Sequence, residues 1–244
     1  MNPPTFVIDQ GNTTTKAGLF VGGGLVDHLR VEKGQEQHLL DWIKASGSRG
    51  GIVSSVRKDK GQALLDQLGS EAVRMHQEIP LPFGNDYRTP KTLGVDRLAN
   101  CAGALRLMPT NTLLIVDCGS CLTATYIENG RLQGGSISPG LRMRFEALAA
   151  FTGQLPRVVP SDQSIERIGK STEESILSGV QCGVLAEIEE IIAHYCSINK
   201  ALSVIITGGD ASYFVPRLKS PIFAEPFLTL MGLHEIYQFR LHHP

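Results

Sequence analysis

The sequence lacks the features that would assign it to several whole classes of protein. It has no block of Lys or Arg residues, and its 23 basic and 24 acidic residues leave a net charge of −1. We therefore expect no nucleic-acid partner and no anionic membrane partner. No apolar stretch reaches the ~18–20 residues that a membrane-spanning helix needs, and the N-terminus has no basic segment followed by an apolar one. These absences predict a cytoplasmic protein without a signal peptide.

Cysteine is also scarce, which bears on the pair Cys118-Gly-Ser-Cys121. The chain has five cysteines, and an odd number favours reduced thiols over a disulfide framework. A redox Cys-x-x-Cys opens a helix, whose N-terminus lowers the pKa of the first thiol, whereas this pair lies in a predicted turn between two strands. A zinc site needs a second ligand pair, which Cys182 and Cys196 do not supply at their spacing. We interpret Cys118 and Cys121 as small residues that fill a turn.

The chain contains an internal repeat, introduced by short apolar runs before Asp9 and Asp117. Both aspartates begin the pattern Asp-x-Gly-x-x-x-Thr. The runs are short and rich in β-branched residues, as buried strands are. Two more strands, a helix and a further strand follow each run, over residues 15–20, 25–31, 35–45 and 51–54 in the first copy and 122–128, 131–136, 141–150 and 202–207 in the second. An apolar stripe at helical spacing also predicts one helix over 173–195.

The repeat predicts an α/β protein of two similar lobes, each a β-β-β-α-β-α unit, that face one another across a cleft. We assign residues 1–110 to the N-terminal lobe and 111–244 to the C-terminal lobe. Each Asp-x-Gly turn then ends the first strand of its lobe. Glycine lets the backbone approach phosphate, N–H and hydroxyl groups bind its oxygens, and each aspartate can hold a cation. A plain strand-ending turn is the alternative for one copy alone, and the duplication favours phosphate binding.

The segment 81–104, LPFGNDYRTPKTLGVDRLANCAGA, begins as a loop and continues as a helix from about Val95. Asp96 and Arg97 therefore fall in a first helical turn, where an acidic side chain complements the helix dipole. That complementarity alone would explain Asp96. Arg97 carries a fork of donors suited to a carboxylate, and a surface ion pair is the alternative for it. The loop, which carries Tyr87, is elaborate for a simple connection.

These stretches together resemble the type III pantothenate kinases, a family of the acetate and sugar kinase/Hsp70/actin superfamily. The similar stretches run in family order along nearly the whole chain: DQGNTTTK at 9–16, YRTPKTLGVDR at 87–97, DCGSCLT at 117–123, GGSISPGL at 134–141, and more weakly STEESILSG at 171–179, TGG at 207–209 and EPFLTLMGL at 225–233. The resemblance implies ribonuclease H-like lobes around a nucleotide cleft. The turn at 207–209 is either an adenosine contact or a plain strand-to-helix turn.

The resemblance also implies an activity and a set of roles. The activity is ATP-dependent phosphorylation of pantothenate, the first step of coenzyme A biosynthesis, in a homodimer. ATP and its phosphates would contact Asp9, Gln10, Gly11, Asn12, Thr13, Thr14, Thr15, Lys16 and Ser120. Pantothenate would contact Tyr87, Gly94, Val95, Asp96, Arg97 and Thr172, with Asp96 as the general base. Asp9 would hold Mg²⁺, directly or through water, and Asp117 would bind a monovalent cation, K⁺ or NH₄⁺.

The chain departs from the family pattern in two of these stretches. Ser120 and Cys121 stand where Thr and Ala are usual; serine keeps the hydroxyl, and cysteine adds a thiol open to reagents. Ser171 replaces the common Asn before Thr172, and Ser171-x-x-Glu174 is typical of a helix capping box. Another small-molecule kinase of the superfamily and a non-catalytic nucleotide-binding regulator remain alternatives. The carboxylate of Asp96 favours catalysis, since a binding-only protein has no need of it.

Overall fold

The structure of the chain is a computed structural model that describes residues 3–12, 14–57, 59, 61–110, 112–163 and 165–243. The chain divides into two compact units. Unit 1 comprises Met1–Pro109 and Phe227–Pro244, and unit 2 comprises Thr110–Pro226. No helix among the described residues is both long and apolar enough to cross a membrane.

Unit 1 is built on a five-stranded sheet in the order β3-β2-β1-β4-β5. β1, β4 and β5 are parallel, and β2 is antiparallel to both β1 and β3. The bounds are β1 Thr5–Gln10, β2 Thr14–Val21, β3 Gly24–Glu32, α1 Glu36–Ala45, β4 Gly51–Ser55, α2 Gln62–Leu68, β5 Ala72–Arg74, a two-residue strand β6 Gly84–Asn85, and α3 Val95–Leu107. Leu39 and Ile43 of α1 and Leu64 of α2 pack with Phe6 and Ile8 of β1 in one apolar core.

The strands of unit 2 repeat this order as β9-β8-β7-β10-β11, each in the place of its counterpart in β3-β2-β1-β4-β5. β7 pairs in parallel with β10 and antiparallel with β8, as β1 does with β4 and β2. The bounds are β7 Thr112–Cys118, β8 Cys121–Glu128, β9 Arg131–Pro139, α4 Leu141–Phe151, α5 Thr172–Leu177, α6 Gly183–Ile198, β10 Ser203–Thr207, α7 Ala211–Phe214 and β11 Phe223–Ala224. The predicted α/β class and the duplicated ribonuclease H-like unit are confirmed.

Two local predictions need correction. The single helix predicted over 173–195 runs from Thr172 to Ile198 with a five-residue π-helical segment, Ser178–Cys182, between α5 and α6. The assignment of residues 111–244 to one lobe is wrong for the C-terminal segment. That segment forms α8, Leu228–His242, which belongs to unit 1 and contacts α3, β1, β2 and β4.

α8 joins unit 1 because two glycines let it lie directly against α3. A Cβ atom on Gly232 would overlap the carbonyl oxygen of Ala99, and one on Gly103 would crowd the carbonyl oxygen of Leu228. Small residues at a helix crossing permit this backbone contact, which larger side chains would prevent. His234 lies two residues after Gly232 on the same helix, and it is buried and stacked on Phe20 with ring centroids 4.3 Å apart. Burial lowers the pKa of His234 to about 4, and it is therefore neutral at pH 7.

We expect Gly232→Ala to destabilise the protein by about 1–3 kcal/mol, because the added methyl group meets backbone that cannot move aside. Helix propensity alone predicts the opposite sign, a gain of ~1 kcal/mol. Gly183→Ala is the matched control, since Gly183 is an exposed helical glycine with open space around its Cβ position. Urea unfolding followed by circular dichroism measures both variants. An unfolding midpoint for Gly232→Ala at or above that of the wild type would contradict the close-packed crossing.

Candidate active site

The first predicted phosphate loop follows β1 and is closed by its glycine. The N–H of Gly11 donates to the carbonyl oxygen of Thr14 at 2.9 Å. A Cβ atom on Gly11 would lie 2.9 Å from the same oxygen, closer than side-chain carbons come to such atoms. Glycine is therefore required for the turn. Asn12 is exposed in this loop, and Thr13, which the resemblance assigns to ATP, lies outside the described residues.

The strand register divides the loop residues between two faces of the sheet. Asp9 lies opposite Lys16 of β2 and beside Ser54 of β4. Gln10 lies opposite Thr15, and both are buried, with exposures of 3% and 1%. Residues directly opposite on paired strands place their side chains on the same face. Asp9 and Lys16 therefore share the partly exposed face, and ATP contacts by Gln10 and Thr15 remain predictions made for buried side chains.

The sequence did not reveal the role of Arg57, which follows β4 and hydrogen-bonds to the backbone of the first loop. Its Nε donates to the carbonyl oxygen of Gly11 at 2.9 Å, and its Nη1 donates to Glu36 Oε1 at 2.7 Å. The hydrogen bond from Arg57 lowers the pKa of Glu36. The side chain of Ser55 donates to Gln10 Oε1 at 2.8 Å, and the end of β4 thus also supports the end of β1. An arginine in the turn after a strand that pairs with β1 was the available signal.

The predicted base, Asp96, lies in the first turn of α3. Its Oδ1 accepts a hydrogen bond from the N–H of Arg97 at 2.9 Å. Gly94 precedes the helix, and a Cβ atom there would overlap Asp96 Oδ1. The carboxyl group is half-buried. The glycine and the helix start therefore fix the direction of this carboxylate, which agrees with a positioned acid or base.

Arg97 is not a surface residue, which rules out the alternative of a surface ion pair. It is 3% exposed, and its guanidinium carbon lies 5.7 Å from the centroid of the Tyr87 ring, a cation–π distance. The backbone N–H of Tyr87 donates to Asn85 Oδ1 at 3.0 Å, which holds the loop before the helix. Val95, which directly precedes Asp96, is buried as well. The predicted substrate residues Tyr87, Asp96 and Arg97 are thus brought together at the start of one helix.

The second loop follows β7 and repeats the closing glycine. The N–H of Gly119 donates to the carbonyl oxygen of Cys121 at 3.1 Å, and Ser120 at the tip is exposed. Asp117 is partly exposed and lies opposite Thr123 and beside Thr207. The carbonyl oxygen of Ser120 accepts a hydrogen bond from the N–H of Gly140 at 3.2 Å. The loop that presents Ser120 is therefore held on both sides.

The turn after β10 supports Asp117 directly. Gly208 has φ +101°, and a Cβ atom on it would lie 2.5 Å from Asp117 Oδ1 and 2.6 Å from the nitrogen of Cys118. The N–H of Asp210 donates to the carbonyl oxygen of Cys118 at 2.8 Å. Burial raises the pKa of Asp210. The turn leads from β10 into α7, and its glycine is needed for close packing on the second loop; an adenosine contact there stays a prediction.

The predicted capping box at the start of α5 is present with a shift of one residue. The N–H of Glu174 donates to Ser171 Oγ at 3.2 Å, while Glu174 Oε2 accepts from the N–H of Lys170 at 2.6 Å. In the usual capping box the carboxylate would bind the N–H of the N-cap residue, here Ser171. Thr172 is exposed at this helix start.

Cysteine chemistry does not account for this site. Cys118 ends β7 and Cys121 begins β8, so the pair spans a hairpin turn and opens no helix. Both are free thiols; Cys118 is 2% exposed, and burial raises its pKa, which disfavours the reactive thiolate. Among the described residues, no group of three or more His, Cys, Asp or Glu side chains is arranged to hold a metal ion.

Single carboxylates can hold Mg²⁺ when the ion binds together with a nucleotide. Mg²⁺ keeps several waters and is held by one or two carboxylates together with substrate phosphates. Asp9 and Asp117 are each the penultimate residue of a strand, with a partly exposed carboxylate beside a hydroxyl-bearing residue. The residues present therefore suit cations that arrive with a nucleotide.

The duplicated ribonuclease H-like units, each with an aspartate before a glycine-closed turn, define a two-unit fold that sugar kinases also adopt. The fold is that of solved kinases: an inorganic polyphosphate/ATP-glucomannokinase from an Arthrobacter species matches 99% of this chain over 100% of its own, with a TM-score of 0.53 at 16% identity. Residues 5–194 match the family described as type III pantothenate kinase. The chain belongs to that family.

Two curated relatives support the assignment over almost their full length. The type III pantothenate kinase of Flavobacterium johnsoniae is 38% identical over 239 residues, covering 96% of this chain and 97% of the relative. That of Cytophaga hutchinsonii is 39% identical over 236 residues, covering 96% and 99%. The similarity therefore includes residues of both units.

Proposed function

We propose that this chain transfers the γ-phosphoryl group of Mg·ATP to the primary hydroxyl of pantothenate, with Asp96 as the base. The products are 4'-phosphopantothenate and ADP, and the hydroxyl proton passes to the Asp96 carboxylate. The observation that carries the proposal is the start of α3. There a carboxylate oriented by a backbone N–H and by Gly94 lies next in sequence to the buried cation of Arg97.

Arg97 is the residue we propose for the carboxylate of pantothenate. A guanidinium group binds a carboxylate through two parallel hydrogen bonds, which gives geometric selectivity as well as affinity. Its burial strengthens that attraction, because the surroundings screen charge less than water does. The Tyr87 ring 5.7 Å away limits where the guanidinium can lie. Gly94, Val95 and Thr172 complete the substrate residues proposed from the family pattern.

The first loop is proposed to bind the phosphates of ATP. Phosphoryl transfer passes through a loose transition state, and catalysis depends on positioning and on charge stabilisation. The exposed Asn12, the ammonium group of Lys16 and the loop N–H groups suit phosphate oxygens. Asp9 is proposed to hold Mg²⁺, directly or through water, and the ion neutralises charge on the transferring group when it is bound. Ser120 is proposed to donate its hydroxyl to the same nucleotide.

A monovalent cation, K⁺ or NH₄⁺, is proposed at Asp117. The carboxylate lies opposite Thr123 and beside Thr207, and the Gly208 turn packs against it. Oxygen ligands of this kind suit a hard cation. The fixed strand end would hold the ion at a constant position relative to the second loop.

A homodimer in the cytoplasm completes the proposal. Unit 2 exposes several large apolar side chains, including Phe151 at 89%, Ile137 at 62% and Met143 at 42%. A contiguous patch of exposed apolar side chains is typical of a surface that associates with another chain, and we propose that these side chains belong to one. Light scattering of the purified protein would distinguish a mass of one chain from that of two.

We expect Asp96→Asn to lower kcat by about 10²–10⁴, the range for loss of a positioned base. The amide keeps the size of the side chain but cannot accept the hydroxyl proton. ADP release from Mg·ATP on addition of pantothenate measures the effect. Asp41→Asn, an exposed carboxylate on α1, is the matched control and should leave kcat within twofold. Wild-type protein that releases no ADP with pantothenate would overturn the function; an active Asp96→Asn variant would overturn only the base.

We expect turnover in K⁺ or NH₄⁺ to exceed turnover in Na⁺ by at least tenfold, and Asp117→Asn to abolish that difference. A site that takes K⁺ or NH₄⁺ is filled less well by the smaller Na⁺, and the amide removes the negative charge that attracts the ion. The same assay in matched chloride salts at constant ionic strength measures both effects. Equal rates in all three salts would contradict a monovalent site.

A further inference from the structure

The guanidinium of Arg57 connects three parts of unit 1 around the first loop. Nε donates to the carbonyl oxygen of Gly11, Nη1 donates to Glu36 Oε1, and Nη2 lies 3.5 Å from Thr15 Oγ1. The side chains of Arg57 and Glu36 are only 16% and 28% exposed. The backbone N–H of Arg57 donates to Ser55 Oγ at 3.2 Å, which fixes the residue to the end of β4. These contacts are partly shielded from solvent. The planar guanidinium makes them possible, because its nitrogens point to three different acceptors.

The contact with Gly11 fixes a peptide group. Gly11 is bound at both ends, since its N–H donates to Thr14 and its carbonyl accepts from Arg57. The peptide group is planar, and in the trans form its carbonyl oxygen and the following N–H point in opposite directions. The described chain contains no cis peptide bond. Pinning the Gly11 carbonyl towards Arg57 therefore turns the N–H of the exposed Asn12 away from Arg57.

A glycine peptide needs such a restraint more than others do. Glycine has no Cβ, and its backbone adopts both signs of φ at little cost, so that a peptide beside it can flip. A flipped Gly11–Asn12 peptide would present a carbonyl oxygen in place of an N–H donor. That oxygen would repel a phosphate oxygen, whereas oriented N–H groups attract it. The state of this one peptide thus decides whether the loop attracts or repels a polyphosphate.

Glu36 holds Arg57 in the clamping position. The carboxylate lies in the first turn of α1 and binds the end of the guanidinium that Gly11 does not use. Ion pairing with Arg57 lowers the pKa of Glu36, so the carboxylate is charged throughout the neutral range. The pair therefore keeps one guanidinium edge available for the Gly11 carbonyl.

We propose that Arg57, held by Glu36, is the positioning residue that sets the Gly11–Asn12 peptide of the first loop for binding nucleotide phosphates. The inference deepens the proposed function and rests on its assignment of the first loop to ATP. Arg57 acts through the loop and is not itself a catalytic residue.

The test measures nucleotide affinity apart from turnover. Isothermal titration calorimetry of the protein with the Mg²⁺ complex of a non-hydrolysable ATP analogue, without pantothenate, gives the Kd for the nucleotide. We expect Arg57→Gln to raise that Kd at least tenfold, as loss of a charge-assisted hydrogen bond does. Arg57→Lys should stay at least fivefold weaker than the wild type, because one ammonium cannot reach both Gly11 and Glu36. Glu36→Gln should weaken binding two- to fivefold.

Steady-state kinetics separates positioning from a general loss of structure. The KM for ATP should rise with the Kd in each variant, while the KM for pantothenate stays within twofold. Arg30→Gln, which breaks an exposed ion pair with Glu32 in the same unit, is the matched control and should change neither value. If Arg57 had a purely structural role, its substitution would lower the unfolding midpoint and leave the ratio of the KM for ATP to the KM for pantothenate unchanged.

A Kd within twofold of the wild type in folded Arg57→Gln and Arg57→Lys would overturn the proposal. If Arg57→Gln does not fold, the Lys variant and Glu36→Gln decide in the same way. Wild-type protein that binds the analogue but does not phosphorylate pantothenate would overturn the proposed function alone, because the Kd comparison does not involve pantothenate.

Discussion

One backbone contact, made once in each unit, determines what the rest of the structure can do. In both units the strand that carries an aspartate ends in a turn closed by the N–H of a glycine, at 2.9 Å for Gly11 and 3.1 Å for Gly119. The closed turn keeps the aspartate at the strand end and leaves the loop N–H groups outside the sheet. Neighbouring segments then pack on these turns, Arg57 on the first and Gly208 on the second. The glycines are therefore needed for backbone approach, and their flexibility is restrained by what surrounds them.

The two turns are related but not identical, and the difference concerns chemistry. In unit 1 Asp9 lies opposite Lys16, whereas in unit 2 Asp117 lies opposite Thr123. The first hairpin is thus one residue longer between paired positions, although the sequence pattern Asp-x-Gly-x-x-x-Thr is the same. The longer turn places the ammonium group of Lys16 opposite Asp9, and the shorter one places the hydroxyl group of Thr123 opposite Asp117. This agrees with a first loop that binds phosphates and a second that holds a cation.

Strong local periodicity made much of the fold predictable. The strands predicted over 122–128 and 131–136 agree with β8 and β9 to within three residues, since burial acts locally there. The aspartates and the start of α3 were found for the same reason. α8 was assigned to the wrong lobe because a glycine pair that fits two helices together leaves no periodic signal. The equal spacing of the two threonines likewise concealed the different registers.

Arg57 shows the other limit of sequence reasoning. Arg57 follows β4 and is distant in sequence from the loop that it contacts. A single arginine in a turn usually lies at the surface. Its role depends on the parallel pairing of β4 with β1, which brings Ser55 beside Gln10. Only that tertiary register connects position 57 with position 11. Similarly, the burial of Arg97 follows from the packing of α3 in unit 1 and could not be separated from a surface ion pair by sequence.

We propose Asp96 as the base that faces the acceptor hydroxyl of pantothenate. A crystal structure of the protein with pantothenate, Mg²⁺ and a non-hydrolysable ATP analogue measures this directly. We expect a distance of about 2.6–3.2 Å between an Asp96 carboxylate oxygen and the primary hydroxyl, with the carboxylate of pantothenate bound to Arg97. If the primary hydroxyl of bound pantothenate lies away from Asp96 and contacts another residue, Asp96 is not the base.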